Sequence, residues 1–168
     1  TYHDIPFRAD RDENEAFQNA INDLNAGTYS TAVLIGTNLA YTAPSDLEIE
    51  AALENVDTKI HLSDYVTETS RLCDWHVNRA HFLESWNDGL SYSGQRSIIQ
   101  PQIRPLHEGI NEIEFLDIIL NSEQVSGYDL VRETWSDFIS GDFEDGWAQI
   151  LHDGIDPNSG FEATPVSL

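Results

Sequence analysis

Two short polar segments, Gly36-Thr37-Asn38 and residues 64–69, contain the residue types that contact nucleotides in many proteins. Glycine lets the backbone approach a ligand closely, and asparagine adopts left-handed conformations or presents its amide. Asp64 could accept a hydrogen bond from a ribose or guanine donor, and Thr67 could cap a helix whose N-terminus favours phosphate. Ordinary turns and caps use the same residues. The chain has neither a G-x-G-x-x-G fingerprint nor a P-loop, so a free dinucleotide or ATP site is weakly supported.

A second group of residues, Cys73, His76, His81 and Glu84, raises the question of a metal site. Cys73 and His76 could share one metal, but no second half-site of matching spacing exists. His76 and His81 are five residues apart, which is off one helical face. A buried thiol and hydrogen-bonded histidines explain these residues, and neighbours this close rarely form a Cys–His nucleophile pair. We therefore predict no metal ligand and no catalytic residue in the chain.

The composition argues against several classes of function. The 168 residues include 8 Lys and Arg against 30 Asp and Glu, which gives a formal charge of −22. This balance disfavours nucleic acid, because basic residues must displace counterions from phosphate, and it disfavours anionic lipid. A soluble acidic surface, also useful in salty habitats, is the simplest explanation; a face for cations or a basic partner is the alternative. The single Cys excludes an internal disulfide and an all-Cys iron–sulfur site built from this chain alone.

The chain has the composition of a folded piece of a larger protein. Hydrophobic residues make up 40% of it, which is enough for a core. No apolar run approaches the roughly 20 residues that span a bilayer, so we expect no direct membrane insertion. The lack of Met and the start at Thr1 lead us to expect an excised or processed segment.

The first half of the chain alternates helix and strand patterns. Apolar spacing predicts a helix over 12–26, with Gly27 after it, and a short buried strand over 31–36. Ser45 and Glu48 resemble a capping box that opens a helix to about residue 55, and residues 59–62 read as the next strand. A strand, crossover helix and strand predict a small parallel sheet covered on both faces.

The second half is predicted to be mainly helical. A short helix near 67–73 is followed by irregular or extended chain and a strand over 97–100. Helices are expected over 111–121, 128–140 and 143–152, and the first is apolar nearly all round, so it should be well buried. Residues 154–168 lack any period and read as an extended linker. We therefore predict a single α/β domain over residues 1–153.

Several strings of residues resemble those of a known family. They are Ile35-Gly36-Thr37-Asn38, Ala43-Pro44-Ser45-Asp46, Glu68-Thr69, Cys73-Asp74-Trp75-His76, Ala80-His81-Phe82-Leu83-Glu84-Ser85-Trp86, Gln100-Pro101 and Pro105-Leu106. Over about residues 15–140 the chain resembles the large molybdopterin-oxidoreductase-like iron–sulfur subunit of the bacterial alternative complex III, often described as a Tat-translocated molybdopterin oxidoreductase. The strings that begin at Cys73 and Ala80 are the specific part.

The resemblance implies a fold and a set of site residues. The fold is a small Rossmann-like three-layer α/β domain with a mainly parallel sheet, like the third domain of molybdopterin oxidoreductases. In that family two strand-end loops approach one arm of a bis-guanine-dinucleotide cofactor. The residues at the matching positions are Gly36, Thr37, Asn38, Asp64, Thr67 and Thr69. Leu39 and Asn78 stand where the family usually has proline.

The resemblance also implies a role in a larger assembly. The alternative complex III branch keeps the molybdoenzyme scaffold without the molybdenum cofactor, and its iron–sulfur clusters lie in a separate Cys-rich region. The chain would then be an internal scaffold domain of a quinol-oxidising respiratory complex, without its own cofactor and inactive as an isolated fragment. Its partners would be other domains of the same subunit and neighbouring subunits, at the periplasmic face of the bacterial inner membrane.

Two alternatives remain open from the sequence. The parent could be a true molybdenum or tungsten oxidoreductase, such as a formate-dehydrogenase-like enzyme, in which case the six loop residues would form half of a pterin-guanine site. The chain could instead be a free-standing acidic interaction module. That hypothesis requires an independent gene with its own start.

Overall fold

A computed structural model describes residues 12–163, and their contacts form two compact units. The sheet unit comprises described residues 12–79 and 107–112, and the helical unit comprises 80–106 and 113–163. The division into a single domain over 1–153 and a linker over 154–168 stays a prediction. No helix in the described part of the chain is long and apolar enough to cross a bilayer.

The sheet unit begins with α1 (Glu13–Asn25). Asp12 caps this helix, because its Oδ1 accepts hydrogen bonds from the backbone N–H groups of Asn14 and Glu15. Gly27 follows the helix with φ +66°, a left-handed conformation that favours glycine. The predicted first helix and its glycine stop are therefore confirmed.

Three parallel strands form the sheet, in the order β1 (Thr31–Ile35), β2 (Thr58–Ser63) and β3 (Trp75–Asn78). β1 pairs with β2 along its full length, and β3 pairs with the last four residues of β2. The predicted α/β class with a mainly parallel sheet is confirmed, as are both predicted strands. β3 lies in a stretch for which the sequence indicated only irregular or extended chain.

Short helices connect the strands. α2 (Leu39–Thr42), a 3₁₀ turn (Ser45–Leu47) and α3 (Ile49–Glu54) lie between β1 and β2. The predicted helix that ends near residue 55 is confirmed by α3, but its predicted start and the Ser45 and Glu48 capping box are wrong. Glu48 has φ 45° and is itself the N-cap of α3, so the chain bends there and makes two short helices instead of one. α4 (Glu68–Leu72) connects β2 to β3, close to its predicted place.

The helices pack against one face of the sheet. Ile21 of α1 and Leu34 of β1 share a core with three buried residues of α3, namely Ile49, Ala52 and Leu53. Strand alternation and register put Val33 and Trp75 together on the opposite face, where they are 39% and 63% exposed. The expectation that both faces are covered does not hold at these two positions.

The helical unit contains an antiparallel strand pair and three helices. β4 (Asn87–Leu90) pairs with β5 (Arg96–Ile99), so the predicted strand at 97–100 is confirmed with a one-residue shift, whereas β4 was not predicted. The helices are α5 (Glu112–Asn121), whose first residue belongs to the sheet unit, α6 (Gly127–Ser136) and α7 (Phe143–Asp153). α6 ends four residues before its predicted end.

Aromatic side chains fill the core of the helical unit. Trp135 and Trp147 are almost fully buried and pack edge to face. Their indole N–H groups donate to Asp88 Oδ2 at 3.0 Å and to the Tyr128 hydroxyl at 3.2 Å. Because both polar atoms have acceptors, the two rings bury a large apolar area without leaving a donor unpaired.

α5 is less buried than its apolar sequence predicted. Only Phe115 and Asp117 of this helix are buried, whereas Leu116, Ile119 and Leu120 are 42%, 49% and 79% exposed. The prediction of a well-buried helix is therefore wrong, because the described chain covers one side of α5 and leaves much of its apolar surface in solvent.

Residues 154–156 lie along β5, and the chain after them reaches Ser93 in the turn before that strand. The Ile98 N–H donates to the Gly154 carbonyl, and the Asp156 N–H donates to the Arg96 carbonyl, each at 3.0 Å. Further on, the Phe161 N–H donates to the Ser93 carbonyl at 2.8 Å. This part of the chain therefore continues the hydrogen bonding of the small antiparallel sheet.

Candidate functional site

The candidate site lies at the carboxyl ends of β1 and β2, where open α/β sheets commonly bind ligands. The Gly36 N–H donates to the Leu62 carbonyl at 2.8 Å, so the two strands remain paired up to the start of the first loop. Gly36 then takes φ +62°, which turns the chain away from the sheet. The loops after β1 and β2 therefore start side by side.

Asn38 joins the two loops. Its Nδ2 donates to Glu68 Oε2 at 2.8 Å, and its Oδ1 accepts from the Thr69 N–H at 3.2 Å and from the Thr69 hydroxyl at 2.9 Å. The buried Thr69 hydroxyl also accepts the Ala40 N–H at 3.0 Å. The hydrogen bond from Asn38 is the main reason that the pKa of Glu68 is lowered. The structure thus brings the predicted residues Asn38 and Thr69 together, as partners of each other.

Asp64 pairs with Arg79, the residue that directly follows β3. Nε and Nη2 of Arg79 donate to the two Asp64 carboxylate oxygens, both at 2.8 Å, and Nη1 donates to Glu112 Oε1 at 2.9 Å. Hydrogen bonding to Asp64 is the first cause of the raised pKa of Arg79. This two-point pair commits one lone pair of each Asp64 oxygen to Arg79, so a ligand donor would have to share these oxygens with the guanidinium.

The same guanidinium lies against Gly36. A Cβ atom built on Gly36 would overlap Nη1 of Arg79, and Cζ of Arg79 would be 3.3 Å from it. The space above the glycine, where the backbone would allow a ligand to come close, is therefore filled by Arg79. Arg79 was not predicted as a site residue, because β3 was not predicted as a strand. A strand at 75–78 would have placed residue 79 at the same end of the sheet as Gly36.

His61 of β2 hydrogen-bonds to Thr37 after β1 and to Ser70 after β2. Its Nε2 donates to the Thr37 carbonyl at 2.8 Å, and its Nδ1 accepts from the Ser70 hydroxyl at 2.8 Å. The Ser70 oxygen also accepts the Thr67 N–H at 2.9 Å, which leaves its hydroxyl proton available for His61. His61 is fully buried, and burial lowers its pKa, so the neutral Nε2–H form fits this site. The sequence places His61 inside the predicted strand at 59–62, and this position could have indicated a buried histidine beside the two loops.

The four residues for which a metal site was considered are divided between the two units. Cys73 and His76 belong to the sheet unit, and His81 and Glu84 belong to the helical unit. Burial raises the pKa of the Cys73 thiol. Between residues 12 and 163, no three His, Cys, Asp or Glu side chains are grouped so as to hold a metal ion. The Nδ1 atom of His76 is buried without a hydrogen-bond partner among these residues, and its ring packs edge to face with His61.

Polar groups of the two loops already have partners within the protein. Asn38 directs its amide to Glu68 and Thr69, Asp64 directs both oxygens to Arg79, and Arg79 fills the space above Gly36. A guanine arm that used these groups would compete with the hydrogen bonds they already make within the protein. The cofactor-binding assignment of Gly36, Thr37, Asn38, Asp64, Thr67 and Thr69 stays a prediction.

The parallel sheet and its connecting helices define a Rossmann-like α/β fold. No protein-family model and no curated protein matches the chain. Among solved structures, the chain is similar to acetylene hydratase from Pelobacter acetylenicus, with a TM-score of 0.51 and 17% sequence identity. The match covers 57% of this chain but only 14% of the hydratase chain. At this identity the similarity shows a shared fold.

Proposed function

We propose that this chain is a scaffold domain of a molybdopterin-oxidoreductase-like subunit, in which the strand-end loops hold the domain together and bind no cofactor. The Arg79 guanidinium carries this proposal, because it covers Gly36 and pairs with Asp64 at the positions where the family's loops meet the cofactor. The shared fold with acetylene hydratase, a molybdenum or tungsten enzyme, supports the relationship to this class.

The finer part of the proposal concerns the parent protein. We infer a subunit of a quinol-oxidising respiratory complex at the periplasmic face of the inner membrane, with its other domains and neighbouring subunits as partners. This part depends on the two specific strings that begin at Cys73 and Ala80. Iron–sulfur clusters would lie elsewhere in the subunit, because a single Cys cannot form an all-Cys cluster.

A nucleotide titration of the full chain tests the proposal. We expect that GDP, followed by amide NMR shifts, causes no saturable change at Gly36, Asn38, Asp64 or Thr69, because these groups already have protein partners. A parallel titration with ADP separates guanine recognition from general phosphate binding. Saturable GDP shifts confined to the two loops would contradict the scaffold role and favour a true molybdenum or tungsten oxidoreductase.

The variant Arg79→Ala makes this test sharper. If Arg79 is what closes the site, its removal frees both Asp64 oxygens and the space above Gly36. Weak GDP shifts in this variant, together with none in the parent chain, would identify an inherited site that Arg79 blocks. If neither the parent chain nor Arg79→Ala shows shifts, the loops have lost nucleotide recognition altogether. That result also agrees with a scaffold role.

A further inference from the structure

A groove of about 500 Å³ lies in the helical unit between α5 and α6. Its floor is apolar and is formed by Ile113, Leu116, Leu120, Leu130 and Val131. The α5 residues recur at three- and four-residue spacing, so they lie on one side of that helix. Leu116 and Leu120 are among the exposed large hydrophobic residues of the chain, so the floor is open to solvent. An apolar groove between two helices has the shape that amphipathic helices enter in known complexes.

Carboxylates surround this floor. Asp88, Asp117, Glu133 and Asp137 line the groove, and none of its lining residues within the described chain is Lys, Arg or His. Asp88 already accepts the indole N–H of Trp135. The groove is therefore lined by apolar residues together with negatively charged ones.

Asp117, one of the residues that line the groove, has a carboxylate oxygen without a partner among the described residues. The residue is 9% exposed, and its Oδ1 accepts the side-chain amide of Asn121. Its Oδ2 is buried and has no hydrogen-bond partner in the described part of the chain. A buried carboxylate oxygen without a donor is rare in folded proteins and needs a partner. Asp117 lines the groove, so a donor for this oxygen could come from a ligand that sits there.

We propose that the groove between α5 and α6 binds a basic amphipathic helix of another protein segment, with apolar side chains on the floor and an Arg or Lys at Asp117. A guanidinium or ammonium group supplies the donor that Oδ2 lacks, and the other carboxylates add favourable charge. A second copy of this chain is a poor occupant, because each copy has 30 acidic residues against 8 basic ones and like charges repel. Anionic lipid is repelled for the same reason.

The probe for this proposal is a synthetic amphipathic peptide of about 18 residues, with leucines at helical spacing and arginines beside them. Calorimetric titration into the full chain is expected to give saturable one-to-one binding. Asp117→Asn should weaken the affinity about tenfold, because it removes the charge while keeping the shape. Leu120→Glu should abolish binding, because it puts a charge on the floor.

Matched controls separate this groove from general attraction between a basic peptide and an acidic protein. Ile119→Glu changes an exposed apolar residue of the same helix that does not line the groove, and Glu123→Gln removes one exposed carboxylate outside it. Both should bind the peptide as the parent chain does. A peptide with glutamates in place of the arginines should not bind.

Three results would overturn the proposal. The first is no saturable binding of the basic peptide. The second is equal affinity for the parent chain and Leu120→Glu, a variant at a solvent-exposed position that should fold even if Asp117→Asn does not. The third is a concentration-dependent dimer of the chain that Leu120→Glu disrupts, which would make a second copy the occupant.

Discussion

The Thr69 hydroxyl donates to the Asn38 side-chain oxygen at 2.9 Å and accepts the Ala40 N–H at 3.0 Å. One buried hydroxyl therefore fixes both the loop after β1 and the first turn of α4. A network of this kind fixes the conformation of a loop strongly, because the removal of one side chain breaks several hydrogen bonds at once. The sequence suggests these two loops as a ligand site, but in the structure their polar side chains hydrogen-bond to each other and hold the loops together.

Replacing this hydroxyl should be costly. Thr69→Val keeps the volume but leaves the Ala40 N–H and one Asn38 acceptor bond without their partner, so we expect a loss of about 1–3 kcal/mol in the free energy of unfolding. Urea denaturation measures it. Thr28→Val, at an exposed loop position, is the matched control and should change stability by less than about 0.5 kcal/mol. Equal effects of the two variants would mean that these hydrogen bonds contribute nothing.

Gly36→Ala should be more harmful than Gly27→Ala. Both glycines have φ between +62° and +66°, but a Cβ at Gly27 meets open space, whereas a Cβ at Gly36 overlaps the Arg79 guanidinium. The left-handed conformation should cost each variant about 1–2 kcal/mol, and Gly36→Ala should lose more because of the overlap.

The background variant Arg79→Ala isolates the overlap. In that background, Gly36→Ala should cost about as much as Gly27→Ala, because the side chain it would strike is gone. Denaturation of the parent chain, Gly36→Ala, Arg79→Ala and the double variant forms a double-mutant cycle. A coupling energy indistinguishable from zero would show that Arg79 does not rest on Gly36 in solution.

Stability should fall in mildly acidic solution because of His61. Burial lowers the pKa of this histidine in the folded state, whereas the unfolded chain has the ordinary value near 6.5. Below that pH the unfolded state binds the extra proton more readily, so the stability present above pH ~6.5 is lost as the pH falls. Thermal unfolding between pH ~7.5 and ~5.5 measures this slope, in a range where most carboxylates stay ionised.

The variant His61→Gln tests whether His61 causes this change of stability with pH. It should be less stable than the parent chain at neutral pH, but its stability should vary less across this range. His107→Gln changes an exposed histidine and should keep the full slope. If His61→Gln keeps the slope as well, another group is responsible for it.

Cys73 should react slowly with thiol reagents. Its pKa is raised by burial and then by the charge of Asp74, and the thiolate is the reactive form. At pH ~8 a disulfide reagent should modify the folded chain several-fold more slowly than the chain in urea. Since Cys73 is the only cysteine, the absorbance of the released thiol reports this site alone. Equal rates in the two conditions would show an accessible thiol.

The elements with a clear local signal were predictable. α1 has a capping aspartate, one apolar stripe and a glycine stop, and the apolar runs of β1 and β2 end in turn residues. Each of these signals lies within about a dozen residues, so no distant contact is needed to recognise it. The same holds for α7, which Asp142 caps and Gly154 ends.

The failures come from positions where distant contacts decide. β3 is four residues long and reads Trp-His-Val-Asn, so only its pairing with β2 makes it a strand. The Ser45 and Glu48 spacing matched a capping box, but left-handed Glu48 ends one turn and starts another. Arg79 followed from neither spacing nor composition, because its partners Asp64 and Glu112 are 15 and 33 residues away.

The hydrogen bonds from residues 154–161 to β5 and to Ser93 matter to anyone who shortens this protein. A version that stops at Gly154 would strip hydrogen-bond partners from Arg96 and Ser93 and uncover the backbone of a short strand. Uncovered strand backbone is a template for unwanted association between molecules. It would also remove the Phe161 ring, which leaves no room for a Cβ at Gly94. A soluble truncation should therefore retain Phe161.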